Sequence, residues 1–353
     1  MKLRRVSTAI AGLVVTLGLA LQGVAAPAAP GAPGLKPDFC GHDQGKVAVQ
    51  DYLCAQAGDI VDVRIGDVHP TQPSLGYDEV YYKLGRYTLG KDKVNKKFAD
   101  WCEASGLLDA TAAQPNARLD DPSTFTCELQ PGQETAESKA LMKTVVIGPG
   151  GSLWLTDGHH TLTSLSEMAD GGPDAHIRLL VTGNLSSYPT SKFRDEMVAR
   201  KWVWLKDVNG NDVNFNKLPK SVGLANFAND KYRSLMYFSR DIGYSTDGAI
   251  PFQEFYWGAW LRESHPELAN WDNNDSASYL NAVEKVTRTQ VALPAGAQVY
   301  GGFTREQLGT YTQWNNGKPA TGGEWAKLSK PYADAKPGKI AYAMEYKALH
   351  GLD

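Results

Sequence analysis

Apolar and polar positions change period several times along the chain, and each change marks an element. Residues 60–65 (IVDVRI) alternate as a half-buried strand does. The prolines of Val68-His69-Pro70-Thr71-Gln72-Pro73 then interrupt the pattern and exclude a helix or a central strand there. Residues 77–87 and 95–105 carry helical spacing, and a loop-like stretch rich in Ala, Asp and Pro fills the space between Cys102 and Cys127. Residues 141–147 and 152–156 read as strands joined by Gly148-Pro149-Gly150-Gly151, together a hairpin. The second strand runs into Asp157-Gly158-His159-His160, after which Leu162, Leu165 and Met168 predict a helix over 161–169. The His pair therefore belongs at a strand-to-helix junction. Residues 177–181 return as strand. Beyond them the pattern is mostly helical, at 191–200, 231–242, 251–265 and 277–287, with a small hairpin over 202–215 turned at Asn209-Gly210. The stretch 291–353 is Gly-rich and polar with one helical segment near 342–349, and no role is assigned to it. Strands first and helices after predict an α+β chain without internal repeats.

The start of the chain has a different logic. Basic Lys2, Arg4 and Arg5 precede an uncharged apolar run over 9–21 and then small residues, the order of a cleavable secretory signal ending near Ala28. The run is too short to span a bilayer, and no later segment reaches that length, so no stable membrane anchor is expected. Residues 1–28 are read as signal and 29–57 as a disordered leader with a disulfide-bearing segment. Export makes the expected location extracellular, where Cys40, Cys54, Cys102 and Cys127 would be oxidised. Pairing of near neighbours, Cys40 with Cys54 and Cys102 with Cys127, is preferred because each closes a short loop; zinc is the rival reading, without a C-x-x-C spacing to support it. The formal net charge of −3 becomes about −6 once the three basic leader residues are removed, which argues against a broad, charge-driven grip on DNA.

Three clusters carry candidate chemistry. A helix start offers free N–H groups to an anion, and two imidazoles beside it can donate to a phosphate oxygen or move a proton, with Asp157 orienting one of them. The plainer alternative makes Asp157 an N-cap and one histidine a packed helix residue. His69, in its Pro-bracketed loop, is a second candidate. It could share a divalent metal with Asp157 and His159 or His160, although adjacent histidines at a helix start point about 100° apart. Arg233 and Arg240, seven apart on one helix face, could aim guanidinium groups at an anion or equally bind Glu254 across a helix pair. Glu79 and Lys83, four apart, could form a surface ion pair.

Taken together, Val68-His69-Pro70-Thr71-Gln72-Pro73, Gly76-Tyr77-Asp78-Glu79-Val80 with Lys83, Leu155 to His160, Asp230 to Leu235 and Pro251 to Phe255 resemble the ParB-like nuclease family, a branch of the ParB/sulfiredoxin superfamily, from about Val61 to about Arg262. The resemblance implies a small mixed sheet with helices over 58–185, a helical extension over 186–290, and a cleft at Asp157 to His160 that in relatives accommodates nucleotide phosphates. The positions that match are His69, Gln72, Glu79, Lys83, Asp157, His159, His160, Arg233 and Glu254. Sulfiredoxins carry Cys and then His-Arg at this turn, which Gly158-His159-His160-Thr161 lacks, so sulfinic-acid reduction is not expected. The arginine-bearing nucleotide motif and the helix-turn-helix reader of partition proteins are also missing, and with them any sequence-specific DNA reader.

These readings lead to an expected extracellular phosphodiester-cleaving enzyme. Asp157, His159, His160 and His69 form its catalytic set; Lys83, Arg233, Arg240, Gln72, Glu79 and Glu254 bind the substrate, a phosphate-containing small molecule or nucleic acid. The alternatives are a non-catalytic module for a small anionic ligand or protein partner, and a metabolite kinase, which an ATP-poor exterior disfavours.

Overall fold

The computed structural model describes residues 52–352. The expected export leader, the stretch that follows it and Cys40 lie outside them. A five-stranded sheet organises the first half, built from Ile60–Arg64 (β1), Val68–Pro70 (β2), Thr144–Ile147, Leu153–Asp157 and His176–Asn184. Short pairs elsewhere are Ser74–Leu75 (β3) with Ala228–Asn229 (β9), Ala110–Ala113 (β4) with Phe125–Cys127 (β5), and Gln298–Tyr300 (β10) with Phe303–Thr304 (β11). With Thr144–Ile147 as β6, Leu153–Asp157 as β7 and His176–Asn184 as β8, the sheet order is β1-β8-β6-β7-β2. The β1/β8 and β6/β7 pairs are antiparallel, and β6/β8 and β2/β7 are parallel. The Pro-bearing β2 takes an edge, where a missing N–H costs no ladder bond.

Alternation along the strands gives the sheet two buried faces. Val61 and Val63 of β1, Val145 and Ile147 of β6, and Leu153 and Leu155 of β7 meet one core. Val146 and Trp154 turn to the other, which Phe193, Met197 and Phe215 close. The first core is covered by Tyr77–Thr88 (α1), Lys96–Ala104 (α2) and His159–Ser166, through Val80, Leu84, Phe98, Trp101, Leu162 and Leu165. Ala136–Leu141 (α3) precedes β6, His159–Ser166 is α4, and Thr190–Ala199 (α5) carries the second face's Phe193 and Met197. Lys231–Ser239 (α6), Gln253–Ser264 (α7), Ser276–Ala292 (α8), Gly323–Leu328 (α9) and Lys339–His350 (α10) follow. α6, α7, α8 and α10 pack a second large core around Trp257, Tyr279, Phe238 and Ala343, and α1 joins it through Tyr81 and Tyr82. α1 is therefore shared between the sheet core and the helical core.

The segment 291–353, without an expected role, supplies α10, which lies along α1. There the buried Lys347 ammonium sits 3.2 Å from Asp78 Oδ1, and Tyr279 donates to Asp78 Oδ2 at 3.0 Å.

Three local expectations need correction. Residues 136–141 are helical, closed by a capping box between Thr135 and Ser138, and the strand starts only at Thr144. The hairpin expected over 202–215 is shorter: it is reduced to one antiparallel bridge, Lys206 with Asp212, flanked by Val213 N–H donating to the Leu205 carbonyl at 2.9 Å, around the turn at Asn209-Gly210. Asp207 draws that turn together by accepting from Asn209 and Asn211 N–H at 2.9 and 2.8 Å. The helix expected from 161 starts at His159, so the His pair occupies its first turn.

Cys102 and Cys127 are bonded as expected, tying α2 to β5. A bridge with a sequence separation of 25 contributes roughly 3 kcal/mol through the unfolded chain. Cys54 is also disulfide-bonded.

Candidate functional site

The start of α4 is set by β7 and Gly158. β7 ends at Asp157, opposite Thr144 of β6, and Gly158 then turns the chain with φ +105°. Only glycine suits this position twice over: the left-handed φ is costly for other residues, and a Cβ there would meet Lys143 Cγ at 2.6 Å. Gly158 is the N-cap and offers no side-chain acceptor, so the N–H groups of His159, His160 and Thr161 have no intrahelical partner. The N-cap alternative for Asp157 does not hold.

Both imidazoles are buried, His159 at 4% and His160 at 6% exposure. His159 Nε2 accepts the Thr71 N–H at 3.1 Å, and His160 Nε2 accepts the Gly76 N–H at 3.0 Å. A ring nitrogen that accepts carries no proton, so each ring is neutral with its proton on Nδ1. Burial, reinforced by Arg233 and opposed by Asp157, pushes His159 down to about 3. Burial together with Arg233 holds His160 well below the ordinary histidine range. The pair thus clamps the backbone of residues 71–76 and with it the start of α1. The expectation of exposed rings poised for proton transfer gives way to this arrangement, because the helix begins early enough to carry both rings under β2 and α1.

A cavity of about 660 Å³ opens at this helix start. It is lined by Asp157, Gly158 and the His pair, by Gln72, by Glu79 and Lys83 of α1, by Arg233 and Arg240 at α6, and by Glu254 of α7. Of the expected site residues His69 alone does not line it. In the parallel β2/β7 register His69 lies beside Trp154, and the two rings stack with centroids 4.9 Å apart, on the sheet face away from α4. Burial lowers its pKa. A metal shared between His69 and the His pair is therefore not supported. Among the described residues no group of three or more His, Cys, Asp or Glu side chains is placed to hold an ion.

Most of the charged side chains around the cavity are paired; Glu103 has no ion pair among the described residues. Arg233 Nη1 donates to Glu79 at 2.9 Å and its Nη2 lies 3.8 Å from Glu254, which also binds Arg240. The ion-pair alternative for the arginines is what the fold adopts. Lys83 binds not Glu79 but Asp100, at 2.9 Å, and Tyr87 donates to the same carboxylate at 2.6 Å. Burial disfavours the charge on Glu254, yet Arg240 and Arg233 outweigh it and hold its carboxyl low. Gln72 donates to the Ser74 carbonyl at 2.7 Å.

Asp157 differs from the other carboxylates. Its side chain is 63% exposed, with Lys143 Nζ 3.5 Å away. Burial around it works against its charge, but its surroundings, Lys143 foremost, prevail, and its carboxyl stays below the usual aspartate range. Asp157 is thus ionised and reachable by solvent in a wall of neutral imidazoles and buried ion pairs. Lys143, whose stem crosses Gly158, was not singled out from sequence, nor was Asp100. The signal for Lys143 was available: it falls within the strand read over 141–147, whose hairpin partner runs into Asp157.

The family described as "Putative ParB-like nuclease" matches residues 61–263, more than half of the chain. No curated protein matches. Among solved structures, that of protein Atu1540 from Agrobacterium tumefaciens is similar at 19% identity over 66% of this chain and 93% of that one, with a TM-score of 0.43.

Proposed function

The chain belongs to the ParB-like nuclease family, and on that premise we propose that it cleaves a phosphodiester in the cavity at the start of α4, outside the cell. The observation that carries this reading is the meeting, in one cavity of about 660 Å³, of unpaired helix N–H groups, the cations Lys143 and Arg240, and the solvent-reachable carboxylate of Asp157. The volume suits a nucleotide-sized ester. The phosphate sits against the N–H groups of His159, His160 and Thr161, where the helix dipole and the two cations take up its charge. Asp157 orients a water and accepts its proton as the water oxygen attacks phosphorus; the bond to the leaving oxygen breaks, and that oxygen takes a proton from solvent. His159 and His160 hold the frame and transfer no proton. Support for export is the leader pattern together with the disulfide.

A second reading, a non-catalytic site for a small anionic ligand, is favoured by the ion pairs that already occupy Lys83, Arg233 and Arg240. Both readings require anion binding. Titration of inorganic phosphate and thymidine 5′-monophosphate, followed by the thermal midpoint, is expected to raise the midpoint of the native protein. Lys143→Gln is expected to weaken both ligands by roughly tenfold, the worth of one charge-assisted hydrogen bond. Midpoints that ignore both ligands would remove the site.

A further inference from the structure

Phosphate binding leaves one wall of the cavity unused. Trp202 forms part of that wall, with Thr144, Thr156 and Thr182 also on the lining and Ile250 and Phe252 adding apolar surface. The indole is fixed in place. Lys201 turns the chain out of α5 with φ +56°, and Trp202 N–H donates to the Met197 carbonyl at 2.9 Å. The edge of the ring rests on Gly183 of β8, where a Cβ would come within 2.8 Å of Cη2. The Arg200 guanidinium, held by Glu196 at 2.9 Å, lies over the ring 5.1 Å from its centroid and backs one face of the indole, which leaves the opposite face for a ligand. The neighbouring hydroxyls are engaged too: Thr144 and Thr156 bond each other at 2.8 Å, and Thr182 donates to the Val145 carbonyl at 3.1 Å.

A braced indole on the wall of a polar cavity is a stacking surface for a flat ring. We propose that Trp202 is a specificity-determining residue that receives the planar group of the ligand, so that the substrate class is a phosphoester of a nucleobase-bearing or aryl alcohol. This rests on the phosphate reading above and deepens it. The absence of a side chain at Gly183 is part of the device, since any Cβ there would displace the ring.

The test is calorimetric titration of four probes, adenosine 5′-monophosphate, 4-nitrophenyl phosphate, ribose 5-phosphate and adenosine, into the full chain and into Trp202→Ala, Trp202→Phe and Gly183→Ala. The native protein is expected to bind the first two about tenfold tighter than ribose 5-phosphate. Trp202→Ala and Gly183→Ala should erase that preference while leaving ribose 5-phosphate within about twofold, and Trp202→Phe should keep most of it. Preference for adenosine 5′-monophosphate alone would identify a nucleobase as the planar group; preference for both would identify flatness as what is read. Equal binding of adenosine 5′-monophosphate and ribose 5-phosphate by the native protein, or an equal loss of both in Trp202→Ala, overturns the proposal. If no phosphate ester binds but adenosine does, and depends on Trp202, the phosphate reading fails and the stacking wall stands. If nothing binds, both fall.

Discussion

Replacing Lys347 with alanine is expected to destabilise the protein by about 3–5 kcal/mol, the usual loss when one partner of a buried ion pair is removed. Lys347 is 3% exposed and Asp78 1%, and the ammonium also donates to the Asn273 carbonyl at 3.1 Å. Without it the carboxylate keeps only neutral partners, the Tyr279 hydroxyl and the Asn273 side chain, in a place where burial already raises the Asp78 pKa despite Lys347, Tyr279 and Asn273. Changing both partners, Asp78→Asn with Lys347→Met, should recover much of the loss, because no buried charge is then left alone. Chemical denaturation of the three proteins measures this. A loss under about 1 kcal/mol for Lys347→Ala would mean that α10 adds little to the helix carrying Glu79 and Lys83.

Truncating the His pair should be nearly as severe. His159→Ala and His160→Ala each strand a buried backbone N–H, of Thr71 or Gly76, and leave a void, together worth about 2–4 kcal/mol per site. Glutamine keeps an acceptor at similar reach and should restore part of that stability. The pH dependence has a definite sign. His159 has its folded pKa lowered to about 3 against an ordinary value of 6.5. The unfolded chain therefore binds the extra proton first, and the stability from this ring is complete above pH 6.5 and is lost as pH falls towards 3. The slope approaches about 1.4 kcal/mol per pH unit within that window, and His159→Gln should flatten it. Alanine variants that keep full stability would return the rings to the role of exposed acid–base groups.

Local pattern carried much of the architecture. The alternation at 60–65, the helical spacing of α1, α2 and α5 to α8, and the strand-to-helix turn at Asp157 were all legible, because each is written in nearest-neighbour periodicity. So was the grouping of Gln72, Glu79, Lys83, Arg233 and Glu254 with that turn, through motif order, and of Arg240 through its helix-face spacing from Arg233. What sequence could not show was direction. The parallel pairing of β2 with β7 turns His69 towards Trp154, and nothing in Val68-His69-Pro70 says which side of the sheet the ring will take. The His pair looked exposed because a helix start is usually accessible, but Thr71 and Gly76 approach it from 88 and 84 residues away. Lys83 found Asp100 on the next helix in place of its helix-face neighbour Glu79 for the same reason.

Hydrolysis of bis(4-nitrophenyl) phosphate by the native protein and by Asp157→Asn tests the catalytic claim most directly. The Asp157 side chain is 63% exposed, so the substitution should leave the thermal midpoint almost unchanged while lowering kcat by about 100-fold or more, with phosphate-ester binding retained. Turnover that is absent from the native protein, or that survives Asp157→Asn at full rate, would contradict the account and leave the cavity a binding site alone.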